Sequence, residues 1–127
     1  MTSTAELVKN WLAAEGFKCT IDADGDAQFK YQGLWMLATM DSDDPLYLKI
    51  LLPRIYEIDN DREKVMEILN GMNTRIKCMK GFIAENSVHL CIEMYVDSSP
   101  EVEDFLERCL EILVLSRSHF IDQLRNN

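Results

Sequence analysis

The sequence predicts an α+β fold in which helices cover one face of an antiparallel meander sheet. Most segments alternate apolar and polar residues with a period of two and are divided by short polar turns, as antiparallel strands are. Three other segments repeat apolar residues at helical spacing. No linker-like stretch interrupts residues 1–127, so we expect a single domain with the element order α-β-β-β-β-α-β-β-α.

The first helix is predicted over residues 4–15. Ser3 and Glu6 have the spacing of a capping box, and Gly16 supplies a residue that can take positive φ at the helix end. The apolar residues between them recur at helical spacing: Leu7, Val8, Trp11 and Leu12.

From Phe17 the apolar period changes to two, which predicts two strands joined at the Asp24-Gly25-Asp26 turn. If their apolar residues share a face, Ile21 lies opposite Phe29. The dipeptide Gln32-Gly33 then predicts a two-residue hairpin that pairs Tyr31 with Leu34.

The remaining elements follow in order. Strand three is predicted over Leu34–Met40, and strand four over Leu46–Leu52, where Pro53 ends it because proline lacks an N–H. Asn60 is predicted to cap the second helix, whose buried stripe is Val65, Ile68, Leu69 and Met72.

A second hairpin is predicted from strands at 76–84 and 87–96, turning at Glu85-Asn86. This register places Phe82 opposite His89 and Lys80 opposite Cys91. Ser99 and Pro100 predict the start of a third helix that runs to about Gln123.

The sheet face opposite the helices is expected to carry apolar side chains. By strand parity the outward set is Trp35, Leu37, Cys78, Phe82, His89, Cys91 and Tyr95. Two interpretations stay open: these residues form an interface, with Trp35, Leu37, Phe82 and Tyr95 as candidate partner-binding residues, or a helix or loop of the same chain covers them. Residues 109–115 are apolar nearly all round the third helix, which indicates either burial on two sides or a homodimer.

Charge, apolar runs and cysteine spacing argue against several kinds of partner and location. With 13 Lys+Arg against 22 Asp+Glu, the net charge of −9 disfavours nucleic acid and anionic membranes as partners. Residues 1–6 lack the features of a secretory signal, and no apolar run has the length of a membrane span. The four cysteines lack metal or redox spacing, so we expect a cytoplasmic protein.

We find no catalytic or metal-binding motif. Counted from Asp22 as an EF-hand loop, the sixth residue is Ala27 and the twelfth is Gly33, where glycine and glutamate are needed. His89 and Cys91 share a strand face but lie about 7 Å apart, too far for an activated thiol. We therefore expect a protein that is not an enzyme and has no cofactor or metal.

Several segments together resemble the YbjN domain family over about residues 5–124. They are the Asp24-Gly25-Asp26 hairpin, the Asp43-Asp44-Pro45 break, the run from Ile68 through Asn70 and Asn73 into Lys77, and the hairpin with Val88 and Glu93. The chain departs from the family pattern at Glu85-Asn86, where a glycine-containing turn is common. The resemblance implies a type III secretion chaperone-like fold and a bacterial, cytoplasmic sensory-transduction regulator without catalytic residues. The better-understood proteins of that fold bind unfolded secretion substrates as dimers.

These observations favour a protein-interaction module that binds a protein partner through a semi-apolar sheet face. The alternative is a small-ligand sensor with a methionine-rich pocket between sheet and third helix, lined by Met36, Met40, Met79 and Met94.

Overall fold

The computed structural model describes residues 4–96 and 102–126 and has the predicted α+β order. The described elements are α1 (Thr4–Ala14), β1 (Cys19–Ile21), β2 (Ala27–Tyr31), β3 (Leu34–Thr39), β4 (Tyr47–Glu57), α2 (Arg62–Arg75), β5 (Met79–Ala84), β6 (Ser87–Tyr95) and α3 (Val102–Arg125). The predicted capping residues Ser3, Ser99 and Pro100 lie outside the described residues. Of the described helices, none combines the length and apolar content that a membrane crossing requires.

The six strands form one antiparallel sheet in the order β1-β2-β3-β4-β6-β5. Helix α1 packs on the β1–β4 half, whereas α2 packs on β5 and α3 contacts β5, β6 and both other helices. Strand alternation directs one set of side chains into the core beneath the helices, including Phe29, Met36, Ile50, Leu90 and Ile92. The prediction of helices over one sheet face is therefore confirmed.

Both two-residue hairpins have the predicted register. Gln32 and Gly33 have φ values of 48° and 80°, and Glu85 and Asn86 have φ values of 52° and 64°. Positive φ at both central residues matches the right-handed twist of the flanking strands. Tyr31 consequently pairs with Leu34, as Phe82 does with His89.

The register of the first hairpin was predicted wrongly. Ile21 pairs with Ala27 rather than with Phe29, which lies opposite Cys19. The carboxylate of Asp22 accepts hydrogen bonds from the backbone N–H groups of Asp24 and Asp26, at 2.9 Å and 3.0 Å, and so closes a shorter loop. The loop keeps an odd number of residues, so the predicted faces are preserved.

Strand β4 does not end at Pro53, in contrast to the prediction. It continues to Glu57 through a bulge between Leu52 and Tyr56, where the pairing with β6 shifts. Arg54 takes a φ of 49° in this bulge, and its N–H donates to Nδ1 of His89 at 3.1 Å. A bulge leaves the proline outside the regular ladder, so its missing N–H does not end the strand.

Helix α2 begins at Arg62 with Asp61 as its N-cap, so the predicted cap at Asn60 was wrong. Asn60 has a φ of 60° and precedes the cap in a left-handed turn. The Asp61 carboxylate is occupied by the backbone N–H of Asp59 and the hydroxyl of Tyr56. The predicted buried stripe is confirmed at Val65, Ile68, Leu69 and Met72.

A side chain of α2 hydrogen-bonds the free edge of strand β5 at its middle. Asn73 Oδ1 accepts a hydrogen bond from the Gly81 N–H at 2.8 Å, and its Nδ2 donates to the Gly81 carbonyl at 3.1 Å. A Cβ on Gly81 would lie 2.8 Å from Cδ2 of Leu69, so glycine allows this close approach of the helix. The amide thus takes the place of a neighbouring strand at a position where edges otherwise invite pairing.

Candidate interaction surface

The open face is the side of the sheet opposite the helices. Strand pairing places one residue from each strand across its middle: Thr20, Gln28, Leu37, Leu51, Cys91 and Lys80. Several apolar side chains on this face keep surface accessible, and Trp35 is 62% exposed. The interpretation that a helix or loop covers Trp35 therefore does not hold.

Trp35 and Leu37 lie two residues apart on β3 and point to the same side. Leu37 is half-buried beside Leu51, its partner on β4. A shallow cavity of about 180 Å³ adjoins them and extends to the β4 bulge at Pro53 and Arg54. The bulge therefore forms one wall of a depression whose floor is apolar.

Phe82 lies across the sheet from Trp35, on the edge strand β5. Its ring stacks on His89 with centroids 5.4 Å apart and an interplanar angle of 23°. The ammonium groups of Lys49 and Lys80 lie 5.9 Å and 6.0 Å from its centroid. The half-buried ring is thus held by an imidazole and two cations.

His89 joins Phe82 to the bulge. Its Nδ1 accepts the Arg54 N–H, and its Nε2 lies 3.2 Å from the Ala84 carbonyl. Both contacts are satisfied together by the neutral imidazole with its proton on Nε2. This side chain fixes the backbone of Arg54 and, through it, one wall of the depression.

Cys91 points to the open face yet is 0% exposed. Lys49, Lys80 and Glu93 surround it, and its thiol donates to Oε1 of Glu93 at 3.5 Å. Burial raises the pKa of Cys91, and the two lysines only oppose that effect. The thiol is therefore kept protonated, as an unreactive cysteine would be.

Tyr95 is not brought together with the other three candidates. It is 73% exposed, and its hydroxyl donates to Asp44 at 2.8 Å, which raises the pKa of Tyr95. His89, which marks the position of Phe82, lies farther along the same strand by about 20 Å at roughly 3.3 Å per residue. Trp35, Leu37 and Phe82 form one surface, whereas Tyr95 belongs to an acidic end of the sheet.

Cys78 does not lie on the strand face where parity placed it. It precedes β5, has a φ of 69° and is exposed in the turn after α2. That turn delays the start of β5, which was predicted from residue 76.

The open face carries more positive than negative charge in its middle. Lys30, Lys49, Lys80 and the exposed Arg54 surround the apolar side chains. The carboxylates near them are Glu93 and, bonded to Gln28, Asp22. Lys30 Nζ lies 5.9 Å from the Trp35 ring centroid. The local sequence pattern does not assign Lys49, Leu51 or Arg54 to this face, because their position depends on the β3–β4–β6 pairing and on the bulge.

The four predicted pocket methionines pack in or against the core. Met36 and Met79 are buried, whereas Met40 and Met94 are partly buried against the same cluster. The 180 Å³ depression touches Met36 and none of the other three. Their positions are those of core-filling residues, and they add no support to the ligand-pocket alternative.

Asp22, Asp24 and Asp26 place one carboxylate oxygen each within 4.8 Å of one another. Asp22 closes its own turn, and Asp26 accepts the Met40 N–H at 2.8 Å. These bonds give two of the carboxylates a structural role in the turn.

Comparison with known proteins gives a structural likeness alone. No family model and no curated protein sequence matches the chain. The crystal structure of an uncharacterized protein from Methanothermobacter thermautotrophicus is similar with a TM-score of 0.67 and 15% sequence identity. The likeness covers 95% of this chain and 96% of that one, so it supports the fold over nearly the whole length.

Proposed function

We propose that this protein is a protein-interaction module that binds a polypeptide partner on the open face of its sheet. The observation that carries the proposal is the 62% exposure of Trp35 beside half-buried Leu37 on the helix-free side. Tryptophan supplies much of the binding energy where it is buried in protein interfaces. A polypeptide laid across this face would complete the burial of Trp35, Leu37, Leu51 and Phe82.

The energetics are compatible with reversible binding. At about 25 cal/mol per Å², completing the burial of such half-covered side chains contributes on the order of 1 kcal/mol each, and more for tryptophan. Association entropy and side-chain ordering offset part of this gain. Together with polar contacts, the surface supports affinities in roughly the micromolar range.

The resemblance to the YbjN family supports a regulatory or chaperone-like version of this role, in the cytoplasm. In the secretion chaperones to which that fold is likened, protein cargo is the ligand. A homodimer stays part of the proposal, because Leu115 is 69% exposed on α3, which lies on the side of the sheet opposite the open face. We propose no catalytic function.

Affinity capture from a lysate of the source cells tests the proposal with a matched pair of variants. Trp35→Ala and Leu115→Ala each remove one exposed apolar side chain, the first on the open face and the second on α3. We expect Trp35→Ala to lose the captured partner and Leu115→Ala to keep it, with both variants retaining a cooperative thermal transition. Equal capture by both variants would place the binding surface elsewhere.

A further inference from the structure

Resting on the proposed function, we infer that the partner is an acidic, extended segment with two carboxylates that flank one apolar side chain. The geometry points to the spacing acidic-x-apolar-x-acidic. The carboxylates would meet cations at Trp35 and at Phe82, and the apolar side chain would enter the depression beside Trp35 that Leu37 and Pro53 line.

The charge of the open face differs from that of the chain. The whole sequence carries −9, but the described residues in the middle of this face present three lysines and Arg54 against two carboxylates, Glu93 and the Asp22 group bonded to Gln28. Among the described residues of the face, the ion pair is Lys80 with Glu93. The ammonium groups of Lys30 and Lys49 instead lie 5.9 Å from the ring centroids of Trp35 and Phe82. Cations held beside rings in this way remain able to bind incoming carboxylates.

The spacing follows from the sheet. Trp35 on β3 and Phe82 on β5 are separated by β4 and β6, and neighbouring strands lie about 4.8 Å apart, so the backbone positions of the two residues lie about 14 Å apart across the face. An extended chain advances about 3.3 Å per residue and directs alternate side chains to one side. Residues i, i+2 and i+4 of such a chain therefore span about 13 Å on one face.

A nucleic acid strand fits this surface less well. Binding of a single strand uses successive aromatic faces, and this surface offers, among its described residues, the exposed face of Trp35 alone, because His89 stacks on Phe82 and two ammonium groups lie beside that ring. Farther along the sheet, Asp44 holds the Tyr95 hydroxyl at an acidic loop that would repel a continuous phosphate backbone.

NMR titration of the isotope-labelled protein with synthetic peptides tests the inference. The probe is GSGESFSESGS, and its comparison peptide has both glutamates replaced by glutamine. We expect shifts confined to the open face, a Kd below about 1 mM and at least fivefold weaker binding of the glutamine peptide. No binding at 1 mM, or equal binding of the two peptides, would overturn the inference.

Two double variants separate the position of charge from its amount. The double variant Lys30→Gln with Lys49→Gln is expected to bind the acidic peptide at least fivefold more weakly. Lys9→Gln with Arg108→Gln removes the same number of positive charges from α1 and α3 and should change affinity less than twofold. Equal losses in both pairs would show a long-range charge effect and refute the assignment of these lysines.

Other occupants have their own signatures. Tighter binding of an 11-nucleotide oligothymidine than of the peptide would assign the face to nucleic acid. Concentration-dependent shifts at Trp35 without peptide, with a dimer mass in sedimentation, would assign it to a second copy. If Trp35→Ala loses the captured partner while the peptide fails to bind, the proposed function stands and the acidic-segment inference is wrong. If Trp35→Ala keeps the partner, the proposed function itself is wrong.

Discussion

Replacing Asn73 with alanine is expected to open the middle of edge strand β5. The Asn73 amide makes two hydrogen bonds to the backbone of Gly81, at 2.8 Å and 3.1 Å. Gly81 is buried, so truncation leaves a donor and an acceptor of the edge strand without these partners. The variant should therefore be less stable and more prone to associate through this edge.

The expected magnitude combines two opposing effects. Two neutral hydrogen bonds contribute about 1–3 kcal/mol in net terms, because each is worth about 0.5–1.5 kcal/mol. Alanine favours a helix interior over asparagine by roughly 0.6 kcal/mol, which offsets part of the loss. Asn73→Ala should thus lower the free energy of unfolding by about 0.4–2.4 kcal/mol.

Asn70→Ala is the matched control, since Asn70 is exposed on α2 almost one turn earlier. This variant should be stabilised by the higher helix propensity of alanine and should keep the bonds between Asn73 and Gly81. Urea unfolding followed by circular dichroism should place the two variants about 1–3 kcal/mol apart, and the Gly81 amide should exchange faster in Asn73→Ala alone. A separation below about 0.5 kcal/mol, with unchanged exchange at Gly81, would refute the reasoning.

Three further predictions concern the Tyr56–Asp61 bond, the Glu85-Asn86 turn and the β4 bulge. The bond to Asp61 is the largest cause that raises the pKa of Tyr56 to about 12, and the same bond lowers the pKa of Asp61. The stability that this bond adds is fully present between the unfolded-state pKa values of the two groups. It is lost as pH falls below 3.8 and Asp61 becomes protonated, and as pH rises from about 10 towards 12 and Tyr56 ionises. The urea midpoints of the native protein and Tyr56→Phe should therefore converge at both extremes, and a constant difference would contradict this. Glu85→Asn should raise the free energy of unfolding by about 0.5–1 kcal/mol, because asparagine tolerates the φ of 52° better than glutamate; no gain in urea would count against it. His89→Leu should cost about 1–3 kcal/mol and speed hydrogen exchange at the Arg54 amide, and unchanged exchange would show that the bulge is held otherwise.

Local sequence patterns were sufficient for the element order and for two hairpins. Gln32-Gly33 and Glu85-Asn86 each join strands whose alternation leaves one register that keeps apolar side chains inside, and both registers are as predicted. Pro53 shows where such reasoning fails. Its missing N–H ends a regular ladder, but a bulge whose Arg54 N–H binds His89 lets the strand continue. The imidazole comes from another strand, 35 residues away, so no local pattern reveals it.

The candidate site was also predictable only in part. Parity alone identified Trp35, Leu37 and Phe82 as outward residues, because alternate side chains of a strand point to opposite faces. It did not show that Tyr95 lies apart from them, since parity gives the face of a residue but not its distance from others.

The sequence by itself determined the order of helices and strands and the inward face of each strand, because apolar burial acts through local periodicity. The tertiary structure decided which strands lie side by side, and with that the placement of Lys49, Leu51 and Arg54 beside Trp35 and Phe82. Strand order depends on contacts between residues far apart in the chain, and no local pattern specifies which distant segments come together. For this reason the positive charge of the open face becomes visible only when β4 is placed between β3 and β6.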